Sequence, residues 1–130
     1  MKFGYTIVYV PDVSSSLAFF EEAFGLSRRF LHESGAYGEL NTGETVLAFA
    51  SLEMGKAHFP SGFVVASASP LPLGIEVAFV TASVVEAHAK AVARGAVEVK
   101  PPESKPWGQV VSYVRCPDGT LVELCSPMGG

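Results

Sequence analysis

The sequence is poor in cysteine and lacks long apolar runs, and both features narrow the class of protein. Only Cys116 and Cys125 occur among 130 residues, too few for a disulfide framework, so both are expected to be reduced. No apolar stretch approaches the roughly 20 residues that a membrane-spanning helix needs. Residues 1–5 lead directly into a strand pattern rather than into a signal peptide. We therefore expect a cytoplasmic protein without membrane association.

Positive charge is also scarce. Lysine and arginine total 9 against 13 aspartate and glutamate residues, which gives a formal net charge of -4. Neither a basic cluster nor a basic helix face is present, so nucleic acid is not an expected partner. The sequence also has no glycine-rich phosphate loop, no Gly-x-Ser-x-Gly elbow and no His-Glu-x-x-His motif.

What the chain does contain is enough apolar residues for one compact domain. Apolar residues make up 48% and charged residues 17% of the sequence, which argues against disorder. A chain of this length buries roughly 65–70% of its unfolded surface. A weak internal repeat relates residues 5–13 to residues 76–84, since each is a β-rich run that ends in a turn and then enters a helix.

Helical spacing follows each copy of the repeat. The first helix is predicted over residues 14–24 and stops at Gly25, because its apolar positions recur at helical spacing: Leu17, Phe20 and Phe24. The second is predicted over residues 83–94, with Ser83 as its N-cap and Gly95 as its end.

After each helix the pattern becomes extended. The predicted strands of the two halves cover residues 28–33, 37–41, 45–51, 97–100, 109–115 and 121–126. We predict a single domain over 1–130. Its first module covers 1–52, a connector with a bend at 60–62 covers 53–72, and the second module covers 73–130.

Two ordered groups of residues carry a family resemblance. The first half contains Val10-Pro11-Asp12-Val13, then Ser16-Leu17-Ala18-Phe19-Phe20 and Phe24-Gly25-Leu26. The second contains Pro106-Trp107-Gly108-Gln109, then Tyr113 and Pro117-Asp118-Gly119-Thr120-Leu121-Val122-Glu123-Leu124. Together they resemble the vicinal oxygen chelate superfamily, which includes glyoxalase I, extradiol dioxygenases, and fosfomycin- and bleomycin-resistance proteins.

The resemblance implies an α+β fold in which two βαβββ modules form paired half-barrels around a small-molecule pocket. It also implies a homodimer, because many relatives pair modules from two chains. Alternation along the strands predicts which side chains face the pocket: Tyr5, Ile7 and Tyr9 in the first module, then Glu76, Ala78, Val80, Val111, Tyr113, Arg115, Leu121, Glu123 and Cys125 in the second.

The superfamily's metal positions correspond here to Tyr5, Ala48 (or its neighbour Leu47), Glu76 and Glu123. Only the two glutamates are ordinary ligands, because an aliphatic side chain cannot coordinate and Zn²⁺ or Ni²⁺ sites favour imidazole and thiolate. The resemblance therefore departs from the metal-using members, and we predict neither a metal site nor another cofactor. Two carboxylates with water could still hold Mg²⁺ or Mn²⁺ weakly.

Glu76 and Glu123 have three interpretations on their own terms. They are a catalytic acid/base pair, since neighbouring carboxylates push one pKa upward. They anchor a ligand. Or they are solvated carboxylates, one of them paired with Arg115.

The other predicted ligand-binding residues are Tyr5, Glu39, Trp107, Tyr113 and Arg115. Trp107 and Tyr113 offer large apolar area with a polar tip, although Trp107 could instead plug the end of a half-barrel. Glu39 faces either the pocket or solvent. His88 is predicted to have a structural or surface role, and His32 is predicted to lie away from the site. His58, in the connector, is the one histidine that the fold could carry into the site.

The leading functional hypothesis is a bleomycin-resistance-type protein, acting in antibiotic resistance, that binds an apolar, aromatic or cationic small molecule. The acidic balance favours a cationic ligand. The alternatives are a glyoxalase-like metal-assisted lyase or isomerase, an acid/base enzyme that uses Glu76 and Glu123, and a purely structural interaction module.

Overall fold

The computed structural model describes residues 1–128, and these form two compact units. The first unit is Met1–Ser69 and the second begins at Pro70. Each unit contains one four-stranded sheet with a helix between its first two strands. The predicted α+β class with two βαβββ modules is confirmed. No helix among residues 1–128 is long and apolar enough to span a membrane.

The first unit runs through β1 (Tyr5–Val10), α1 (Val13–Phe24), β2 (Ser27–Leu31), β3 (Tyr37–Asn41) and β4 (Val46–Ser51). Its sheet has the order β1-β4-β3-β2. The β1–β4 pair is parallel and the other pairs are antiparallel. The chain then continues through α2 (Leu52–His58) and a single 3-10 turn, Ala66–Ala68.

The second unit repeats this topology with β5 (Glu76–Val80), α3 (Val84–Ala93), β6 (Val97–Ser104), β7 (Val110–Arg115) and β8 (Leu121–Cys125). The sheet order is β5-β8-β7-β6, again with a parallel pair between the first and last strands. The internal repeat seen in the sequence is therefore a repeat of topology.

The caps of the two long helices explain their bounds, and two of them, Gly25 and Ser83, were predicted. The Asp12 side chain accepts a hydrogen bond from the Ser15 backbone at 3.1 Å, and Gly25 ends α1 in the left-handed region at φ 69°. The Ser83 side chain accepts from the Glu86 backbone at 3.4 Å at the start of α3. Both predicted helices are confirmed to within a residue or two.

Two elements differ from the sequence prediction. The connector contains a helix, α2, whose N-cap is Ser51, and no helix was predicted there because its apolar spacing is weak. The strand predicted over 97–100 extends to Ser104 through two prolines. Proline is tolerated because β6 lies at the sheet edge and its pairing with β7 is irregular there.

Each sheet has a packed face, covered by α1 or α3, and an open face on the opposite side. On the packed face of the first sheet, Phe20 of α1 stacks on Phe49 of β4 with ring centroids 5.0 Å apart. Both rings are fully buried, and burying one such side chain contributes about 1.5–3 kcal/mol. The opposite faces, called the open faces, carry the charged side chains Glu39 in the first unit and Glu76 and Glu123 in the second.

Candidate functional site

Strand register places the predicted second-unit site residues on one open face. Ala78 of β5 lies opposite Glu123 of β8, which in turn lies opposite Tyr113 of β7. Glu76 precedes Ala78 by two residues and therefore shares its face. The structure thus brings Glu76, Tyr113 and Glu123 together from three strands. Arg115, opposite Leu121, lies on the same face, two residues beyond Tyr113.

Tyr113 is a fixed hydrogen-bond donor to Glu123. Its hydroxyl donates to Oε1 of Glu123 at 3.0 Å. Burial, together with this hydrogen bond and the negative charge of Glu123, raises the pKa of Tyr113 to about 12. The phenol therefore stays neutral at physiological pH and occupies one carboxylate oxygen.

Glu76 interacts directly with Glu123. Burial of the carboxyl group raises the pKa of Glu76, and the hydrogen bond to Glu123 and its negative charge raise it further. A hydrogen bond between two carboxyl groups requires a proton on one of them. The pair can therefore hold a proton that an isolated glutamate would have released, as an acid/base group or an exchangeable cation site requires.

Cys125 lies on the same open face, opposite Val80 and Val111. Burial raises the pKa of its thiol, and the charge of Glu123 acts in the same direction. The thiol also lies 3.6 Å from the Phe79 carbonyl oxygen. Because the thiolate is the reactive form, this cysteine is poorly suited to act as a nucleophile.

Trp107 stands at the tip of the hairpin between β6 and β7. The residue is 59% exposed, and its indole Nε1–H donates to Oε1 of Gln109 at 2.8 Å. A residue that plugs a half-barrel would be buried, so this exposure argues against that alternative. The ring instead presents free surface beside the start of β7.

The open face of the first unit carries a buried carboxylate. Glu39 lies opposite Ala48, which places it on the open face rather than on the packed face. It is nevertheless only 6% exposed, so it does not face bulk solvent. Its Oε2 accepts from the Tyr37 hydroxyl at 2.7 Å, and its Oε1 lies 3.6 Å from Nε of Arg29. Burial, followed by this hydrogen bond, holds the pKa of Tyr37 well above its usual range.

Aromatic residues from the connector extend this face beyond Tyr9. The Tyr9 ring lies 5.8 Å from Phe59 and 5.4 Å from Phe63, and its hydroxyl lies 3.3 Å from Nδ1 of His58. A Cβ on Gly55 would lie 2.6 Å from the Phe63 ring, so glycine is what lets the ring approach α2. The connector therefore places His58 beside Tyr9, near the end of β1 and four residues after Tyr5.

Residues 2–124 match the family model described as the Glyoxalase/Bleomycin resistance protein/Dioxygenase superfamily. The chain belongs to this superfamily. The resemblance inferred from the sequence motifs is thereby confirmed.

Solved structures share the fold at low sequence identity. A glyoxalase-related enzyme from Fulvimarina pelagi superposes with a TM-score of 0.80 at 22% identity, over 98% of this chain and 88% of that one. A glyoxalase/bleomycin resistance protein/dioxygenase family enzyme from Burkholderia phytofirmans PsJN gives 0.80 at 17% identity, over 97% and 98%. A protein of unknown function from Agrobacterium tumefaciens gives 0.77 at 23%, over 98% and 95%. No curated protein matches the chain.

The metal positions that the superfamily implies do not fit a transition metal here. Register places Ala48 opposite Ile7 and Glu123 opposite Ala78, at corresponding points of the two sheets. Tyr5 and Glu76 begin the corresponding first strands. At these positions the first unit has a phenol and a methyl group and the second unit has two carboxylates. Neither unit supplies the imidazole or thiolate ligands that Zn²⁺ and Ni²⁺ sites favour. Within residues 1–128, no three His, Cys, Asp or Glu side chains are arranged to hold a metal.

The other histidines lie away from the open faces. His88 is buried beneath α3, between Ser112 and Glu98, which agrees with the structural role predicted for it. His32 follows β2, and its Nδ1 lies 2.8 Å from the Ser34 hydroxyl.

Two site residues escaped the sequence analysis, although each carried a signal. Tyr37 stands two residues before Glu39 on one strand, so alternation alone puts both on the same face. Gln109 stands two residues after Trp107 and two before Val111. The aromatic group around Tyr9 had no such signal, because it depends on how α2 folds back.

Proposed function

We propose that this chain binds a small organic ligand of aromatic and cationic character on its second unit, without an obligatory metal. One observation carries the proposal: the second unit combines a carboxyl pair on its open face, Glu76 and Glu123, with an exposed ring, Trp107, at the tip of its β6–β7 hairpin. Such a combination of apolar area with a few convergent polar groups is typical of ligand sites.

The carboxyl pair supports recognition of a cation. A positively charged ligand group replaces the shared proton, so that both carboxylates become ionised and face the ligand. Tyr113 already holds one oxygen of Glu123, which orients the carboxylate toward the ligand. The chain's net charge of -4 further favours approach of a cation.

Trp107 supports recognition of a planar ring. An exposed indole face stacks on aromatic groups and attracts cations. A planar aromatic cation offers a ring to Trp107 and a positive charge to the carboxyl pair. Sequestration of such a compound would provide antibiotic resistance.

The test is a titration with 9-aminoacridine, a planar cation, followed by its own fluorescence and by that of Trp107. Acridine-9-carboxylate has the same ring system with the opposite charge and serves as the control ligand. We expect only the cation to bind. Trp107→Ala should weaken binding by about 1–3 kcal/mol. Val85→Ala, at an exposed position of α3, is the control variant and should bind normally.

Equal binding of both acridines would refute charge recognition. Unchanged affinity in Trp107→Ala, together with a lower melting temperature, would make Trp107 structural.

Metal independence has its own test. Protein purified without added metal should contain well under one Zn, Ni, Fe or Mn per chain, and chelator should leave the melting temperature unchanged. Stoichiometric metal that is lost in Glu76→Gln or Glu123→Gln would overturn this part of the proposal. It would move the chain to the metal-assisted lyases or isomerases.

A second candidate function is acid/base catalysis by Glu76 and Glu123, and the raised pKa of Glu76 favours it. Such an enzyme exchanges protons next to a carbonyl group. Deuterium exchange into hydroxyacetone, followed by NMR, is the test. Exchange above the buffer rate that disappears in Glu76→Gln and in Glu123→Gln would favour this candidate over simple binding.

We also infer a cytoplasmic two-fold homodimer. Large apolar side chains are exposed at Phe3, Leu71 and Ile75, and contact with a second copy of the chain would remove such side chains from water. Light scattering at high micromolar concentration should give twice the monomer mass. A monomer under those conditions would rule out the dimer.

A further inference from the structure

Trp107 is exposed yet held in place by a chain of hydrogen bonds. Its indole Nε1–H donates to Oε1 of Gln109 at 2.8 Å. The Nε2–H of Gln109 donates in turn to the Ser126 carbonyl at 2.9 Å. One amide group therefore links the tip of the β6–β7 hairpin to the end of β8.

The chemistry of this link explains why residue 109 is a glutamine. An indole N–H only donates and a backbone carbonyl only accepts, so the group between them must accept and donate at once. A primary amide does both. A carboxylate cannot donate and an ammonium group cannot accept. The two partners therefore also fix which end of the Gln109 amide faces Trp107.

The far end of the link is rigid. The Ser126 backbone N–H donates to the Val110 carbonyl at 3.0 Å, and the Val110 N–H donates to the Ser126 hydroxyl at 2.9 Å. The hairpin tip is closed by a 2.7 Å bond from the Lys105 N–H to the Gln109 carbonyl. Gly108, at φ 97°, permits the tight turn beside Trp107. An exposed ring is thus held by neighbours that are themselves fixed.

We infer that Gln109 is a positioning residue, which holds the Trp107 ring in a fixed orientation for stacking a planar ligand group. This inference rests on the proposed ligand-binding function. A side chain that is ordered before binding does not lose rotamer freedom on binding, which raises affinity by about 3- to 10-fold for one such residue.

The link also narrows the class of ligand. Because the indole N–H is already bonded to Gln109, it is not available to a hydrogen-bond acceptor on the ligand. Trp107 then offers only the faces of its ring. The group that it selects is a planar aromatic ring rather than a carbonyl or a hydroxyl group.

The first test needs no ligand. Trp107 is the only tryptophan, so time-resolved fluorescence anisotropy reports the motion of this one ring. Gln109→Leu removes both bonds and should increase the fast local motion of the ring, while Ser104→Ala at an exposed position of β6 should not. Unchanged ring motion in Gln109→Leu would overturn the positioning role.

Gln109→Glu gives a sharper readout, because an ionised carboxylate keeps the acceptor for Trp107 and loses the donor to Ser126. At neutral pH the ring should be mobile. Below the usual glutamate pKa of about 4.3, the introduced carboxyl group becomes protonated, can donate and accept again, and should restore the wild-type anisotropy. A merely structural defect would not recover at low pH, and its persistence there would contradict the inference.

The second test joins positioning to binding. Titration with 9-aminoacridine should show that Gln109→Leu binds about 3- to 10-fold more weakly than the wild type with Trp107 still present. A mobile ring with unchanged affinity would overturn the inference. If the wild type does not bind the probe, the proposed function fails for this ligand class, while the anisotropy measurements still decide whether Gln109 orients Trp107.

Discussion

At corresponding positions, the long helix of each unit contacts its sheet through side chains of different character. We call these two helix–sheet contacts the apolar joint of the first unit and the polar joint of the second. In the first unit Leu17, five residues after the N-cap of α1, packs on Gly38 of β3. In the second unit His88, five residues after the N-cap of α3, contacts Ser112 of β7. Strand register shows that Gly38 and Ser112 hold corresponding positions. Gly38 precedes Glu39, which lies opposite Ala48, the third residue of β4. Ser112 precedes Tyr113, which lies opposite Glu123, the third residue of β8.

The apolar joint depends on the absence of a side chain at Gly38. A Cβ on Gly38 would lie 2.6 Å from Cδ1 of Leu17, which is fully buried. Glycine therefore lets the leucine descend onto the strand. The stability of this joint comes from apolar burial and close packing, which tolerate few changes of volume.

The polar joint is a chain of three side chains. Nδ1 of His88 lies 2.9 Å from the Ser112 hydroxyl, and its Nε2 lies 2.7 Å from Oε2 of Glu98. Ser112 is fully buried and His88 is 5% exposed, so the serine is not accessible as a nucleophile. The comparison teaches that one fold accepts either an apolar or a fully paired polar joint. A half-paired contact would leave a buried polar group without a partner, which costs about 1–3 kcal/mol.

The largest expected effect is at the apolar joint. Leu17→Ala should lower the free energy of unfolding by about 2–5 kcal/mol, because it leaves a cavity under α1. Urea unfolding followed by circular dichroism is the measurement, and Val64→Ala, at an exposed position of the same unit, is the control. Trp107 fluorescence reports the second unit alone, so an unchanged fluorescence midpoint would confine the damage to the first unit. A loss below 1 kcal/mol would contradict the contribution assigned to Leu17.

A smaller effect is expected at the polar joint. Ser112→Ala should cost about 1–3 kcal/mol, because the buried Nδ1 of His88 loses its partner. The same urea experiment tests it, with Ser104→Ala on the exposed edge strand as the control. Equal stability of the two serine variants would show that the Ser112 contact is unimportant.

The most direct comparison replaces the polar joint of the second unit with the residues of the apolar joint. His88→Leu combined with Ser112→Gly installs the apolar pair of the first unit in the second. We expect the double variant to be more stable than the sum of the two single losses predicts, by about 1 kcal/mol, since neighbours in one network do not act additively. Strict additivity would mean that the two joints are not equivalent.

The smallest expected effect is on the open face and depends on pH. The raised pKa of Glu76 means that its contribution to stability is present below the usual glutamate pKa and is lost as pH rises through the raised value. Glu76→Gln should therefore be more stable than the wild type at pH 7, by less than about 1 kcal/mol for a partly solvated group. The difference should vanish near pH 4. Thermal unfolding between pH 4 and pH 7 measures this stability difference. If the wild type instead gained stability relative to Glu76→Gln as pH rises, the pKa of Glu76 would be lowered rather than raised.

Most of the fold could be predicted because it depends on local signals. The caps Gly25 and Ser83 predicted helix bounds, and alternation predicted which residues share a face. Strand alternation likewise brought Glu76, Tyr113 and Glu123 together correctly.

The features that escaped prediction depend on tertiary contacts. The aromatic group at Tyr9 requires α2 to fold back, and nothing in the residues 52–63 signals that return. The exposure of Trp107 depends on where the hairpin between β6 and β7 ends, and that end was placed too early because Pro101 and Pro102 usually stop a strand. Leu17 and His88 have the same helical position but different partners, which periodicity does not distinguish.

The two prolines of β6 have a consequence for the protein in a crowded solution. An edge strand exposes a row of backbone donors that another chain can use to extend the sheet, which is how ordered aggregates begin. Pro101 and Pro102 lack these donors, and the irregular pairing around Lys100 and Glu103 disturbs the flat geometry that such growth needs. The longest strand of the second unit is thereby made a poor template for polymerisation.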